Sequence, residues 1–257
     1  MSLRLLIGVL TLLYCVCSLA GEIDRVSVEK ILAGSSGGKP ADLRRKDLTD
    51  LDLSGLDFSR ADLWGSDMRR ANLTKANLSG LNLDLTVMTK INLSSANLAN
   101  TSIFGVHMVS ANLSNADLRK SRIIANLDRA NLSRADLTDA NWGVDMKNQP
   151  MGLMRVSLNN ADLSGANLTN ADLNRALLRH AKFKDSILHN TVLVAADLSK
   201  ADFTNADLTG ADLSGCDLTD TDFTGSNLAR TKFSGVKDKS QLKGLATSKN
   251  LESAVFQ

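Results

Sequence analysis

Catalysis or metal binding in this chain would have to be built from few residue types. Histidine occurs as His107, His180 and His189, and cysteine as Cys15, Cys17 and Cys216. A metal centre needs several such ligands brought together, and a nucleophilic site needs a hydroxyl or thiol beside a base. The chain has no Gly-x-x-x-x-Gly-Lys-(Ser/Thr) phosphate loop. Carboxylates are plentiful, 28 Asp and Glu together, but they recur at a fixed spacing and so have a structural explanation first. A sugar-cleaving carboxylate pair would have to stand outside that spacing, and none does. Seven Asn-x-(Ser/Thr) triplets, such as Asn72-Leu73-Thr74, arise from the same spacing and are not read as glycosylation sites. These residues predict a protein that is not an enzyme and holds no cofactor and no metal.

The spacing itself is the informative feature. From Ala41-Asp42-Leu43 to Thr231-Lys232-Phe233 the chain repeats Ala-(Asp/Asn)-Leu-(Ser/Thr)-x. Writing the central Leu as i, one phase runs from Leu43 to Ile123, a second from Leu127 to Trp142, and a third from Leu158 to Phe233. All 37 centres are apolar, and 27 of the residues at i−1 are Asp or Asn, a regularity too strict for composition alone. A period of five fits neither a helix nor a lone strand. Positions i−2 and i must therefore line the inside of a tube, with i−1, i+1 and i+2 outside. Asp or Asn at i−1 and frequent Gly at i+2 (Gly55, Gly65, Gly80) write a corner into each unit.

Like centres recur at every fourth unit, as in Met68, Met88 and Met108 or Phe183, Phe203 and Phe223. Four units then complete one turn, and coils stacked at about 4.8 Å give about nine coils and a rod roughly 45 Å long. One buried Leu contributes ~1.5–3 kcal/mol, while ordering five backbones costs ~5–10 kcal/mol, so each coil depends on its neighbours. In such a coil His180 and His189 lie on opposite sides and His107 lies several coils away, so they do not converge. Cys216 stands at i−2, where Ala, Ser and Thr also stand, and reads as a small filler.

The repeat resembles the pentapeptide-repeat family, whose signature is A-(D/N)-L-x-x, over roughly residues 41–235. The resemblance implies an all-β fold, a right-handed quadrilateral (four-sided) β-helix solenoid, and no shared active site. It departs from the pattern over residues 143–157, read as an irregular loop holding Pro150 in a turn, and by one missing residue near Ile124-Ala125. Residues 21–40 read as an N-terminal cap and linker: a short helix carrying Val26, Val28, Ile31 and Leu32, then a Gly-Ser stretch. Residues 236–257 read as a C-terminal cap of one or two short helices with Leu242, Leu245, Leu251, Val255 and Phe256.

Residues 1–20 read as a signal peptide. Arg4 supplies the positive end, Leu5 to Val16 the apolar run, and Ser18 and Ala20 the small residues before cleavage at Gly21. The expectation is export to a periplasm, a lumen or the outside, with no transmembrane segment once the signal is removed. Net charge is near balance, with 30 basic against 28 acidic residues. A basic band spans Arg69 to Arg134 and an acidic stretch spans Asp197 to Asp222, read first as solvated surface.

What remains is apolar residues at outward positions. Trp64, Leu85, Phe104 and Ile124 belong to every fourth unit and so share one side, with Val87 and Val109 on the next. This stripe is the candidate interaction surface, for an unknown protein partner or for self-association, with the cap or the loop as its possible cover. The leading function is an exported structural or interaction protein presenting a rigid surface, with no nucleic acid expected. The alternative comes from the resemblance, since some family members imitate DNA and shield type II topoisomerases. That requires a strongly negative cytoplasmic rod.

Overall fold

The computed structural model describes residues 23–35, 38–144, 154–236 and 242–256. The expected signal peptide and the middle of the expected loop lie outside them. Helix α1, Arg25–Ala33, opens the described chain, with Asp24 as its N-cap accepting from the Ser27 N–H at 2.8 Å. Val28 on α1 is fully buried against the first coil, while Val26 faces solvent. Arg25 ties the helix down by donating to the carbonyls of Asp52 and Ser54.

The repeat follows as a ladder of parallel bridges, each joining an i−1 residue to its counterpart four units later, as in Asp52 to Asn72 and Asn72 to Asn92. Continuous strands are rare. Among the described residues they are β1 Ala41–Asp42, β2 Ala61–Asp62, β3 Ser102–His107 and β4 Arg122–Asn126, with β1 pairing β2 and β3 pairing β4. Elsewhere each unit is extended only briefly before it turns, so the ladder is made of single bridges rather than sheets.

One unit shows how the backbone is satisfied. In Ser66–Arg70, the N–H of Ser66 closes the previous turn on the Leu63 carbonyl, and that of Asp67 reaches down to the Lys46 carbonyl. The N–H groups of Met68 and Arg70 reach up to the carbonyls of Val87 and Thr89. The remaining donor, Arg69 N–H, is taken by the Asp67 side chain at 3.1 Å. Every N–H has a partner, and this is why Asp or Asn recurs at i−1. Above Leu177 and Ser102 an acceptor from the coil below substitutes: Asn159 Oδ1 takes the Arg179 N–H, and Asp84 Oδ1 takes the Phe104 N–H.

The interior holds the centres and the small i−2 residues. Phe183, Phe203 and Phe223 stack with centroids 4.6 and 5.3 Å apart and nearly parallel rings. Phe233 meets Phe223 edge-on at 5.7 Å, and Phe256 extends the aromatic interior by stacking on Phe233 at 4.7 Å.

The ladder survives two irregular coils. One bridge, Asn112 to Asn131, falls a residue short of four units, and another, Asn126 to Ser157, takes in the whole expected loop. Val156 and Leu158 are fully buried, so the chain is back in register before the end of the expected 143–157 loop. The C-terminal segment also differs from a helical cap. Lys243, Lys249 and Val255 bridge Asp222, Asn227 and Lys232, so the tail builds a further, longer coil. Among its described residues the helical content is two three-residue 3₁₀ turns, Leu245–Thr247 and Leu251–Ser253. Among the described residues no helix is long and apolar enough to cross a membrane.

Candidate functional site

The side chains with catalytic potential stay apart. By register, His107 and His180 share one side three coils apart, and His189 lies on the opposite side, with its Nε2 3.0 Å from Asp207 Oδ2. Cys216 is half-buried, and burial pushes its thiol up to about 12, so it is a poor nucleophile. Among the described residues no three His, Cys, Asp or Glu gather as a metal site.

The apolar stripe is more specific. Trp64 is 38% exposed, Leu85 58%, Phe104 39% and Val87 37%. Trp64 and Phe104 each precede a corner glycine, Gly65 and Gly105, whose missing side chain leaves the neighbouring ring open. Arg45 from the coil below fills part of that space, with its guanidinium 4.9 Å from the Trp64 ring centre. Beside Trp64 an open groove is lined by Pro40, Arg44, Ala61, Asp62 and Asn82.

Leu85 is the unusual member. Its φ of 62° is left-handed, a conformation that branched, apolar residues seldom adopt. Other corners use Gly, Asn, Asp, Ser or a cation, apart from Ala195 and His180. Leu85 thus puts a large apolar side chain, 58% exposed, where the other corners are mostly polar or glycine.

One expected stripe residue is corrected. Ile124 is only 1% exposed. The missing residue removes the corner that Gly105 provides one coil below, and β3 and β4 shift register between Phe104 and His107. The chain stays extended through β4, and Ile123, Ile124 and Ala125 are all buried. Val109 is half-buried, on the next side. Met154, exposed on the limb that returns to Val156, comes 3.9 Å from where a Gly105 Cβ would lie and joins the stripe. Nothing in the five-residue frame indicates Met154, because it lies between two phases.

The basic band does not gather on one face. Lys75 and Arg134, Lys90 and Arg129, and Lys120 occupy three different corners by register. The distal Asp residues are equally dispersed and are used in turns, as where Asp202 accepts from both the N–H and the hydroxyl of Thr204. One feature appears only when the frame is folded into coils. Leu177, Lys182, Ile187 and Val192 replace Asp or Asn on all four sides of a single coil, leaving Ile187 and Val192 exposed on different sides.

A ladder of five-residue units with a polar turn acceptor in most of them defines a solenoid of pentapeptide repeats. The pattern described as pentapeptide repeats matches residues 41–65, 52–89, 91–123 and 125–142, and that of a pentapeptide repeat region matches residues 151–233. The chain belongs to the pentapeptide-repeat family. Among solved structures it is similar to HetL, a pentapeptide repeat protein involved in heterocyst differentiation regulation from the cyanobacterium Nostoc sp. strain PCC 7120. The identity is 26%, over 91% of this chain and 94% of that one, with a TM-score of 0.50. The plasmid-mediated fluoroquinolone resistance protein QnrB1 is 18% identical over 79% of this chain and 90% of its own, with a TM-score of 0.47. A pentapeptide repeat protein of the Arabidopsis thaliana thylakoid lumen is 26% identical over 55% of this chain and 76% of its own, with a TM-score of 0.30. No curated protein sequence matches the chain.

Proposed function

We propose that this chain is an exported, non-enzymatic repeat protein, a right-handed four-sided rod of about nine coils that presents one corner to a protein partner. The observation that carries this reading is Leu85, exposed in a left-handed conformation between the open rings of Trp64 and Phe104. An exposed apolar side chain where the other corners are mostly polar or glycine marks an interaction surface, and aromatic anchors supply most of the energy of many interfaces. Export rests on Arg4, the Leu5–Val16 run and Ala20. Recovery of a mature chain beginning at Gly21 outside the cytoplasm supports it. Full-length chain retaining Met1 in the cytoplasm rejects it and revives the topoisomerase-shielding alternative. The interaction is tested by placing a photo-crosslinking amino acid at Phe104 and, as a control on a distal corner, at Asn205. Adducts from Phe104 alone are expected, and equal labelling from both positions refutes the recognition corner.

A further inference from the structure

We infer that Asn100 is a site of N-linked glycosylation, taking an oligosaccharide from a lipid pyrophosphate donor as the chain is exported. The inference rests on the export reading above. The first argument is frame position. In six of the seven Asn-x-(Ser/Thr) triplets the Asn stands at i−1 and the Ser or Thr at i+1: Asn72, Asn77, Asn92, Asn112, Asn131 and Asn167. Those six are the frame's own letters. The seventh, Asn100-Thr101-Ser102, corrects the common origin expected for all of them, because its Asn stands at a corner and its Ser belongs to the next unit. An exposed triplet of this type in an exported chain is the acceptor signature of the modification.

The second argument is what each side chain already does. In all six ladder triplets the Asn Oδ1 accepts the N–H of the Ser or Thr two residues on, at 2.9–3.2 Å. In all but Asn131, Nδ2 also donates to the coil below, as from Asn92 to Asn72 Oδ1 and from Asn112 to Asn92 Oδ1. A sugar on Nδ2 would have to push apart a column whose members stand about 4.8 Å from one another. Asn100 is exposed, and its side chain makes no hydrogen bond among the described residues. Its backbone is held in place, with φ 61° and the N–H donated to the Arg119 carbonyl at 2.9 Å. By register the corner below is Gly80, where an added Cβ would meet nothing within 4 Å, and the corner above is the exposed Lys120. The amide of Asn100 therefore has open space where the ladder amides have neighbours.

The third argument is timing. Thr101 is 1% exposed and Ser102 is the first residue of β3. An enzyme that reads all three residues must act on the extended chain, before the coil closes. The Asn100 amide nitrogen then displaces the pyrophosphate from C1 of the lipid-linked sugar. A C–N bond forms, the C1–O bond breaks, the amide gives up one proton and the lipid pyrophosphate leaves. The closing coil keeps this sugar in solvent.

The test expresses the full chain through a eukaryotic secretory pathway, with a short tail carrying Asn-Gly-Thr added after Gln257 to report translocation. Enzymatic removal of the glycan converts each modified Asn to Asp, and peptide mass mapping locates it. Glycan is expected on the tail and on Asn100, and on none of the six ladder asparagines. Ser102→Ala should abolish it at Asn100 while the amide remains, and Asn100→Gln should abolish it with an unchanged thermal midpoint. A modified tail with a bare Asn100, or glycan on a ladder asparagine of the folded protein, would overturn the inference and leave export standing. If the tail and Asn100 are both bare, the chain has not been exported, and both readings fall.

Discussion

The two halves of the rod use the same five-residue frame and place aromatic residues oppositely. From Val156 to Phe233 every aromatic residue is a centre and points inward, so Phe183, Phe203 and Phe223 form a buried stack. Between Ala41 and Ser121 only Phe58 does so, while Trp64 and Phe104 stand at i+1 and point outward. The frame position, not the residue type, decides the side. An aromatic residue at a centre is explained by packing, but one at i+1 has no such explanation, and that contrast separates scaffold from recognition surface.

The contrast can be broken most forcefully from the inside. Phe203→Ala should cost ~3–5 kcal/mol, because it opens a cavity between two stacked rings, and the loss is read as a lowered denaturation midpoint. Gly143→Ala should follow at ~1–3 kcal/mol. An added Cβ there would lie 2.1 Å from Asn174 Nδ2 and 2.4 Å from Asp172 Oδ1, where the chain leaves the ladder.

Acid sharpens the comparison. Burial pushes the Asp197, Asp207 and Asp212 carboxyls up. Hydrogen bonds outweigh it: from Arg179 and Ser199 to Asp197, from Thr209 and His189 to Asp207, and from Ser214 and Lys232 to Asp212. The net shift is downward from 3.8. A carboxyl with a folded pKa below its unfolded value adds stability above the unfolded pKa and loses it as pH falls through the folded one. Distal amides should therefore exchange faster as pH falls below about 4, after correction for intrinsic exchange. The Asn column of Asn72, Asn92 and Asn112, whose amides bond one to the next, carries no such charge and should hold.

The smallest expected effect on stability is the most pointed. Leu85→Asn should leave the midpoint unchanged or raise stability by up to ~1 kcal/mol, since Asn tolerates the left-handed corner better than Leu. The same change should weaken partner binding. A clear loss of stability would mean that Leu85 belongs to the scaffold.

Much of this was legible in the sequence. The frame predicted which residues line the interior, and the recurrence of Phe at every fourth unit predicted the stack. Both follow from local chemistry repeated many times. The failures come where the count slips. Ile124 occupies an outward position, but deletion of a corner residue carries it inside, and an apolar side chain gives no warning of that. The tail keeps the ladder with steps that lengthen each time, from Asp222 to Lys243, Asn227 to Lys249 and Lys232 to Val255, too irregular for a five-residue beat. Gly244, at φ 74° and with Thr224 packed where its Cβ would be, is the one plain mark of that coil's turn. At the corner, Trp64 and Phe104 could be read from position alone. The left-handed Leu85 followed from its frame position, but the approach of Met154 and the seat of Arg45 over Trp64 needed coordinates.

The most direct test of the central claim is the double change Trp64→Ser and Phe104→Ser, scored in one preparation for thermal midpoint and for partner crosslinking from Val87. The account predicts an unchanged midpoint, because outward positions add little to the tube, together with loss of the adduct. A chain that melts well below the parent would show that these rings are core, and a stable chain that still crosslinks would show that the corner is not what the partner reads.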